Sequence, residues 1–124
     1  MLKVACGIIY KGDEIFIGRR KEGKSMAGKW EFPGGKVEEN ESKKSALIRE
    51  LREELGMAVN VHEKLGTNIH AYDAFTINLV AYRCSFISAK FDLTDHDKFE
   101  WVLPYNLKNY DLAEADIPLI NLLL

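Results

Sequence analysis

One segment of the chain keeps a helical period, and it sits among segments that alternate like strands. Leu47, Leu51 and Leu55 fall at i, i+4 and i+8, with Ile48 beside them, which predicts an amphipathic helix from about Ser42 to Leu55. Asn40 and Ser42 both suit the N-cap, and Gly56 stands where a left-handed C-terminal residue belongs. Before the helix, Lys3–Tyr10 and Glu14–Arg20 alternate and are rich in β-branched residues. Lys11-Gly12-Asp13 between them reads as a hairpin turn. Lys21–Lys29 reads as a polar loop, and Pro33-Gly34-Gly35 as a sharp break. After the helix, Val59–Ile69 and Phe75–Ile87 return to strand alternation. An acidic loop is expected over Phe91–Lys98 and a short strand over Phe99–Val102. A helical turn is expected at Pro104–Asn109, and a C-terminal helix over Ala113–Leu124 with Pro118 in its first turn. One helix set among many strands predicts an α+β domain, an α/β/α sandwich around a mixed sheet, as a single domain over residues 1–124.

Charge excludes some partners. With 17 basic and 19 acidic residues, the formal charge is −2, which offers a duplex nucleic acid no cationic face. Single nucleotides need a pocket rather than a patch. Cys6 and Cys84 both lie in apolar strand-like runs with no Cys-x-x-Cys spacing, so they read as reduced core thiols of a cytoplasmic protein. No stretch is long enough to span a bilayer, the N-terminus lacks a signal-peptide layout, and the Asn40-Glu41-Ser42 sequon reads as chance.

The acid is not evenly spread. Glu50, Glu53 and Glu54 lie at i, i+3 and i+4, on one face of the helix, where like charges repel by roughly a few tenths of a kcal/mol per pair. A solvated face is the ordinary reading of such a helix taken alone. Joined at a fixed interval to a Gly-Gly turn, which lets backbone approach a ligand closely, the pattern suits a hard divalent cation. Mg²⁺ or Mn²⁺ is typically held by a few carboxylates together with substrate phosphates.

The interval can be written out. Gly35, five residues, Glu41, seven residues, Arg49-Glu50-Leu51, one residue, Glu53-Glu54, one residue, Gly56-Met57 fills every specified position of a known motif. It resembles the Nudix box, G-x5-E-x7-R-E-U-x-E-E-x-G-U, where U is apolar. The likeness extends to "GIIY", "EIFIGRR", "WEFPGGKVE" and "LAEADIPLI", which look like MutT-type nucleoside triphosphate pyrophosphohydrolases, the CTP pyrophosphohydrolase branch above all.

The resemblance implies a loop–helix–loop box in an α/β/α sandwich. It also implies hydrolysis of a nucleoside triphosphate to monophosphate and pyrophosphate. Carried over, Glu50, Glu53 and Glu54 would hold Mg²⁺ or Mn²⁺, with the Gly34 carbonyl as a further ligand. Arg49 and Glu41 would orient those ligands. Asp95, where relatives carry Glu, would be a further ligand or the general base; His96 beside it reads as a surface histidine. For the nucleoside, Arg20, Phe32 and Asp116 match base-contacting positions, with Phe32 stacking on the ring. Glu31, Phe32, Pro33 and Gly34 would line the pocket with backbone groups, and Lys36 would neutralise phosphate. Oxidised-guanine specialists carry Asn at the position of Asp116. An ionised Asp only accepts hydrogen bonds, which suits the amino group of cytosine, whereas a protonated Asp would still serve 8-oxoguanine. The partner expected is therefore a small nucleotide, with no membrane and no duplex, for a monomer or homodimer. NDP-sugars and dinucleoside polyphosphates are the rival substrates. A non-catalytic module is disfavoured by the intact glutamates.

Overall fold

The computed structural model describes residues 1–124. The strands are β1 (Leu2–Lys11), β2 (Glu14–Arg20), β3 (Trp30–Glu31), β4 (Gly34–Lys36), β5 (Met57–Ala71), β6 (Thr76–Ala89) and β7 (His96–Val102). The single α-helix, α1, spans Lys43–Leu55, and two 3₁₀ helices cover Pro104–Asn109 and Ile117–Leu122. All seven strands join one mixed sheet in the order β3-β2-β1-β6-β5, with β4 also on β1 and β7 also on β2. β1 and β6 run parallel at its centre, from Leu2 opposite Ile77 to Tyr10 opposite Ser85. The other pairings are antiparallel.

Period-2 alternation sends each strand's apolar residues to two opposite cores. Cys6, Ile8, Ile15, Ile17, Ile77, Leu79 and Ala81 face one side. There they meet Leu107 and Leu119 from the 3₁₀ helices and Leu112 and Ala115 from the stretch between them. Ala5, Ile9, Phe16, Val80, Tyr82 and Cys84 face the other side, against Leu47, Leu51 and Leu55 of α1. Those three leucines are fully buried, a gain of roughly 1.5–3 kcal/mol each. Ile48 projects toward solvent instead. The result is the expected three-layer α+β sandwich, with 3₁₀ helices rather than a second α-helix as the far layer. Burial pushes the Cys84 thiol up to about 12 and raises that of Cys6 well above its usual range, so both are inert core thiols.

The helix ends follow from local chemistry. Ser42 is the N-cap, its Oγ accepting from the Ser45 N–H at 3.1 Å. Asn40 instead adopts a left-handed turn at φ 64°. Gly56, at φ 58°, ends the helix by donating its N–H to Arg52 and Leu51 carbonyls.

Two expectations are corrected. The last of the chain is not an α-helix from Ala113. The Ala113 N–H donates to the Trp30 carbonyl at 2.8 Å, and Leu112 bridges to Trp30, so this stretch is held beside β3. Only Ile117–Leu122 coils, as a 3₁₀ helix with Pro118 in its first turn. The acidic loop is also shorter than expected, because β7 begins at His96. That histidine lies opposite Arg20 on β2, and Phe91 stacks on Phe99 at 4.4 Å, anchoring the loop to the aromatic core.

Candidate active site

β4 delivers Gly34 and Gly35 to the start of the box by pairing with β1. Neither position has room for a side chain. A Cβ on Gly34 would strike the Ala5 carbonyl and Cys6 Cα, and one on Gly35 would strike the carboxylate of Glu50. The glycines thus let the turn lie directly against both the sheet and the acidic helix.

Arg49 organises that helix face. Its Nε and Nη2 donate to the two oxygens of Glu41 at 2.8 and 3.0 Å. Nη1 reaches Glu50 at 2.9 Å and Glu53 at 3.2 Å, and Nη2 also reaches the Lys36 carbonyl at 3.0 Å. These five contacts match the five N–H donors of a guanidinium. Glu41 also accepts from the Glu38 N–H at 2.9 Å. The bonds from Arg49 and then from Glu38 hold its carboxyl down at about 2. Glu41 raises the Arg49 guanidinium in return.

The three box glutamates share the face but not the environment. Glu53 is the exposed one, with its side chain 59% accessible, and Glu50 is largely covered. Glu54 is buried, at 6%. Burial first, then the neighbouring Asp95, Glu31 and Glu50, push its carboxyl up to about 10. At Asp95 burial opposes ionisation, but Glu54 and the Lys24 ammonium, 3.2 Å away, outweigh it, and its carboxyl lies below the ordinary range. Although a methylene shorter than Glu, Asp95 lies close enough to Glu54 for the two carboxyls to shift each other. No three of these acids are drawn together as a ready-made cage; Glu50 and Glu53 turn to Arg49 instead. The donor set nevertheless fits Mg²⁺ or Mn²⁺. It is all hard oxygen, and Glu54 Oε2 is buried with no hydrogen-bond partner.

Beside this face lies a cavity of about 210 Å³, floored by Val4, Cys6 and Leu79 and walled by Arg20, Glu31, Phe32, Gly34, Gly35 and Asp116. This is below the roughly 300–1,000 Å³ of drug-sized sites and suits one ring system. Asp116 is 6% exposed, and its Oδ2 accepts from the Phe32 N–H at 2.8 Å. Burial and the nearby Glu31 carboxylate raise its carboxyl well above the usual range, against that one bond. Burial thus favours the protonated form of Asp116, which could donate as well as accept, over the ionised, acceptor-only form. Its segment is pinned by Asn68 Nδ2, which donates to the Ala115 carbonyl at 2.9 Å. The Ala115 N–H in turn donates to the Tyr72 hydroxyl at 3.1 Å.

Other expectations are redistributed. Phe32 lines the cavity, but its ring is packed in the core, so what it supplies to Asp116 is backbone. The Pro33 carbonyl is engaged by the Gly7 N–H. Arg20 faces the cavity, steadied by Ser25 and Glu31. Lys36 is exposed at the end of β4. His96 is not a surface residue: it is 2% exposed and bonded to Glu31. Sequence reading passed over Tyr72 and Phe75, two aromatics lining the cavity with rings 5.4 Å apart and tilted by 38°. Their closeness in the turn between two long strands was the available signal.

The NUDIX domain profile matches residues 4–122, and the chain belongs to the Nudix hydrolase family. Among its relatives, the CTP pyrophosphohydrolase of Escherichia coli is 37% identical over 120 residues, 97% of this chain and 89% of that protein. The 8-oxo-dGTP diphosphatase of Haemophilus influenzae is 35% identical over 103 residues, 82% of this chain and 65% of that protein. The solution structure of the MutT protein of a methicillin-resistant Staphylococcus aureus superposes with a TM-score of 0.77 at 39% identity, covering 98% of this chain and 94% of that one.

Proposed function

We propose that this Nudix hydrolase is a Mg²⁺-dependent nucleoside triphosphate pyrophosphohydrolase. It converts a triphosphate and water to monophosphate and pyrophosphate, acting on cytosine-type nucleotides, oxidised nucleotides such as 8-oxo-dGTP, or both. The observation that carries this reading is continuity: Gly34 and Gly35 line the base-sized cavity, and Gly35 also abuts Glu50 on the acidic face. A nucleotide can thus place its base in the cavity and its phosphates over the box. The names of the relatives point the same way.

In this reading Glu50, Glu53, Glu54 and the Gly34 carbonyl hold the cation. Bound there, Mg²⁺ or Mn²⁺ neutralises phosphate charge and polarises the attacking water. Arg49 and Glu41 keep the ligands oriented. Asp95, the more acidic partner of Glu54, accepts the proton that the water loses. Lys36 offsets phosphate charge. Arg20 and a protonated Asp116 donate to the base, while the Phe32 N–H fixes Asp116. No helix is long and apolar enough to cross a membrane. With a net charge of −2, we place the enzyme in the cytoplasm, as a monomer or homodimer clearing or balancing the nucleotide pool.

Pyrophosphate release from CTP, dCTP and 8-oxo-dGTP, with and without Mg²⁺, tests the reading. Monophosphate and pyrophosphate are expected; orthophosphate as the main first product, or turnover that survives chelation, would rule it out.

A further inference from the structure

The loop between β2 and β3 is built as a strap that touches both halves of the site. Its ends are closed by backbone bonds, from the Arg20 N–H to the Lys29 carbonyl and from the Gly28 N–H to the Arg20 carbonyl, both 2.8 Å. Its tip turns through left-handed residues at Gly23 (φ 88°), Met26 (φ 58°) and Gly28 (φ 84°). Arg20 steadies that tip, donating from Nε to the Ser25 carbonyl at 3.0 Å and from Nη2 to the Ser25 hydroxyl at 3.3 Å. Ser25 and Met26 line the base-sized cavity. The residue before them, Lys24, reaches the acidic side instead, with Nζ 3.2 Å from Asp95 Oδ1.

Lys24 is the cation at the end of the box that Arg49 does not serve. Arg49 pairs with Glu41, Glu50 and Glu53. Glu54 has no ion pair, and the carboxyl it lies against, Asp95, has one, to Lys24. The two side chains of that bridge are 42% and 23% exposed, so it adds little to stability. What it does is place a positive charge beside a buried carboxylate whose neighbours Asp95, Glu31 and Glu50 are all acids. A lysine suits a temporary occupant of such a place. Its ammonium is a compact charge on a flexible stem, with water open to it once it lets go.

We propose that Lys24 is a displaceable internal cation: it occupies the Glu54–Asp95 end of the box in the metal-free protein and is driven off by the divalent cation that loads there. This rests on the reading of the box as a metal site, and not on which nucleotide is the substrate. A divalent cation on Glu54 and an ammonium on Asp95 repel at the short range that the two adjacent carboxyls impose. The monovalent, exposed partner is the one free to leave. Departure of Lys24 loosens the strap at the residue next to Ser25 and Met26, so loading of the box is felt in the wall of the cavity. Gly23 and Gly28, which bracket the tip, allow the backbone to change.

Binding of Mn²⁺ in the absence of nucleotide tests this, read from the electron paramagnetic resonance signal of the free ion. The proteins compared are wild type, Lys24→Met, Lys24→Arg and Lys21→Met. Lys24→Met, which carries no charge to be displaced, is expected to lower the Mn²⁺ Kd by about fivefold or more, the low end of ordinary coupling between sites. Lys24→Arg keeps the bridge and should bind no more tightly than wild type. Lys21→Met takes the same charge from the same strap, and its Kd should stay within about twofold of wild type, as expected of a screened surface charge. Amide hydrogen exchange supplies a second readout, at the Gly28 and Lys29 N–H groups that donate within the strap. Adding Mg²⁺ to wild type should quicken exchange at both. In Lys24→Met exchange should already be fast without Mg²⁺ and change little on adding it. An unchanged or raised Kd in Lys24→Met, an equal drop in Lys21→Met, or a strap response to Mg²⁺ that persists in Lys24→Met would overturn the proposal and leave the metal site standing. No Mn²⁺ binding by wild type would overturn the metal assignment itself, and the proposal with it.

Discussion

The carboxylate of Glu50 occupies the space that a side chain on Gly35 would need. The box glycine is therefore a shape requirement set by a glutamate fifteen positions away, and not only a turn-former. Gly35→Ala is expected to displace Glu50 and lower kcat by about 10²-fold, the scale of a misplacement of about 1 Å. The helix itself should survive, which circular dichroism will report. Full activity in this variant would show that Glu50 does not act from that position.

Arg49 joins Glu41, Glu50, Glu53 and the Lys36 carbonyl through one planar group. Lysine is a point donor and cannot span them. Arg49→Lys should cost about 10–100-fold in metal affinity or activity, measured by Mn²⁺ titration alongside turnover. Glu41 carries a stability signature as well. Its folded carboxyl lies below the unfolded value of 4.5, at about 2. Its contribution is present above about 4.5 and is lost as the pH falls toward 2. Arg49→Ala should flatten that acid limb in thermal melts.

Glu54→Gln should abolish most turnover, by orders of magnitude, while leaving the fold intact, because a neutral side chain already suits its buried position. Glu53→Gln should lose a comparable factor from an exposed position, which packing cannot explain. Near-normal turnover of Glu54→Gln in Mg²⁺ would remove Glu54 from the ligand set.

Asp116 ties stability and selectivity to pH. Its folded carboxyl is raised above the unfolded value of 3.8, so the folded chain keeps a proton that the unfolded chain releases. Its contribution is fully present below about 3.8 and declines as the pH rises. Asn at this position keeps an acceptor for the Phe32 N–H and has no proton to lose. The melting temperature of Asp116→Asn relative to wild type should therefore climb between pH 5 and pH 8. The kcat/KM ratio of 8-oxo-dGTP to CTP should fall with rising pH in wild type, as the donor on Asp116 ionises, and stay level in the variant. Parallel curves in both assays would mean that Asp116 is ionised throughout.

The box was legible from sequence because its parts are local. Helical spacing groups Glu50, Glu53 and Glu54, and the turn and the N-cap lie within twenty residues of them. What escaped depends on contacts across the sheet. His96 looked like a surface residue in an acidic loop because its burial comes from Gly18, on a strand nearly eighty positions earlier. The upward shift of the Asp116 carboxyl depends on enclosure by β1 and β6 and on Glu31, neither of which has a local mark. The C-terminal helix failed for a similar reason. Apolar spacing favoured a coil, but bonds from Trp30 claimed Ala113 first.

The parallel pairing of β1 with β6 has a consequence for synthesis. Leu2 and its partner Ile77 are 75 positions apart, and translation at about 5–20 residues per second needs several seconds to supply that partner. Throughout that interval the apolar Ala5–Ile9 run, central in the finished sheet, has only the β2 hairpin and the β4 turn to cover its edges. The nascent chain is thus most prone to aggregate after the helix has emerged and before β6 has, and its soluble yield should respond to elongation rate and chaperone supply more than to any substitution in the site.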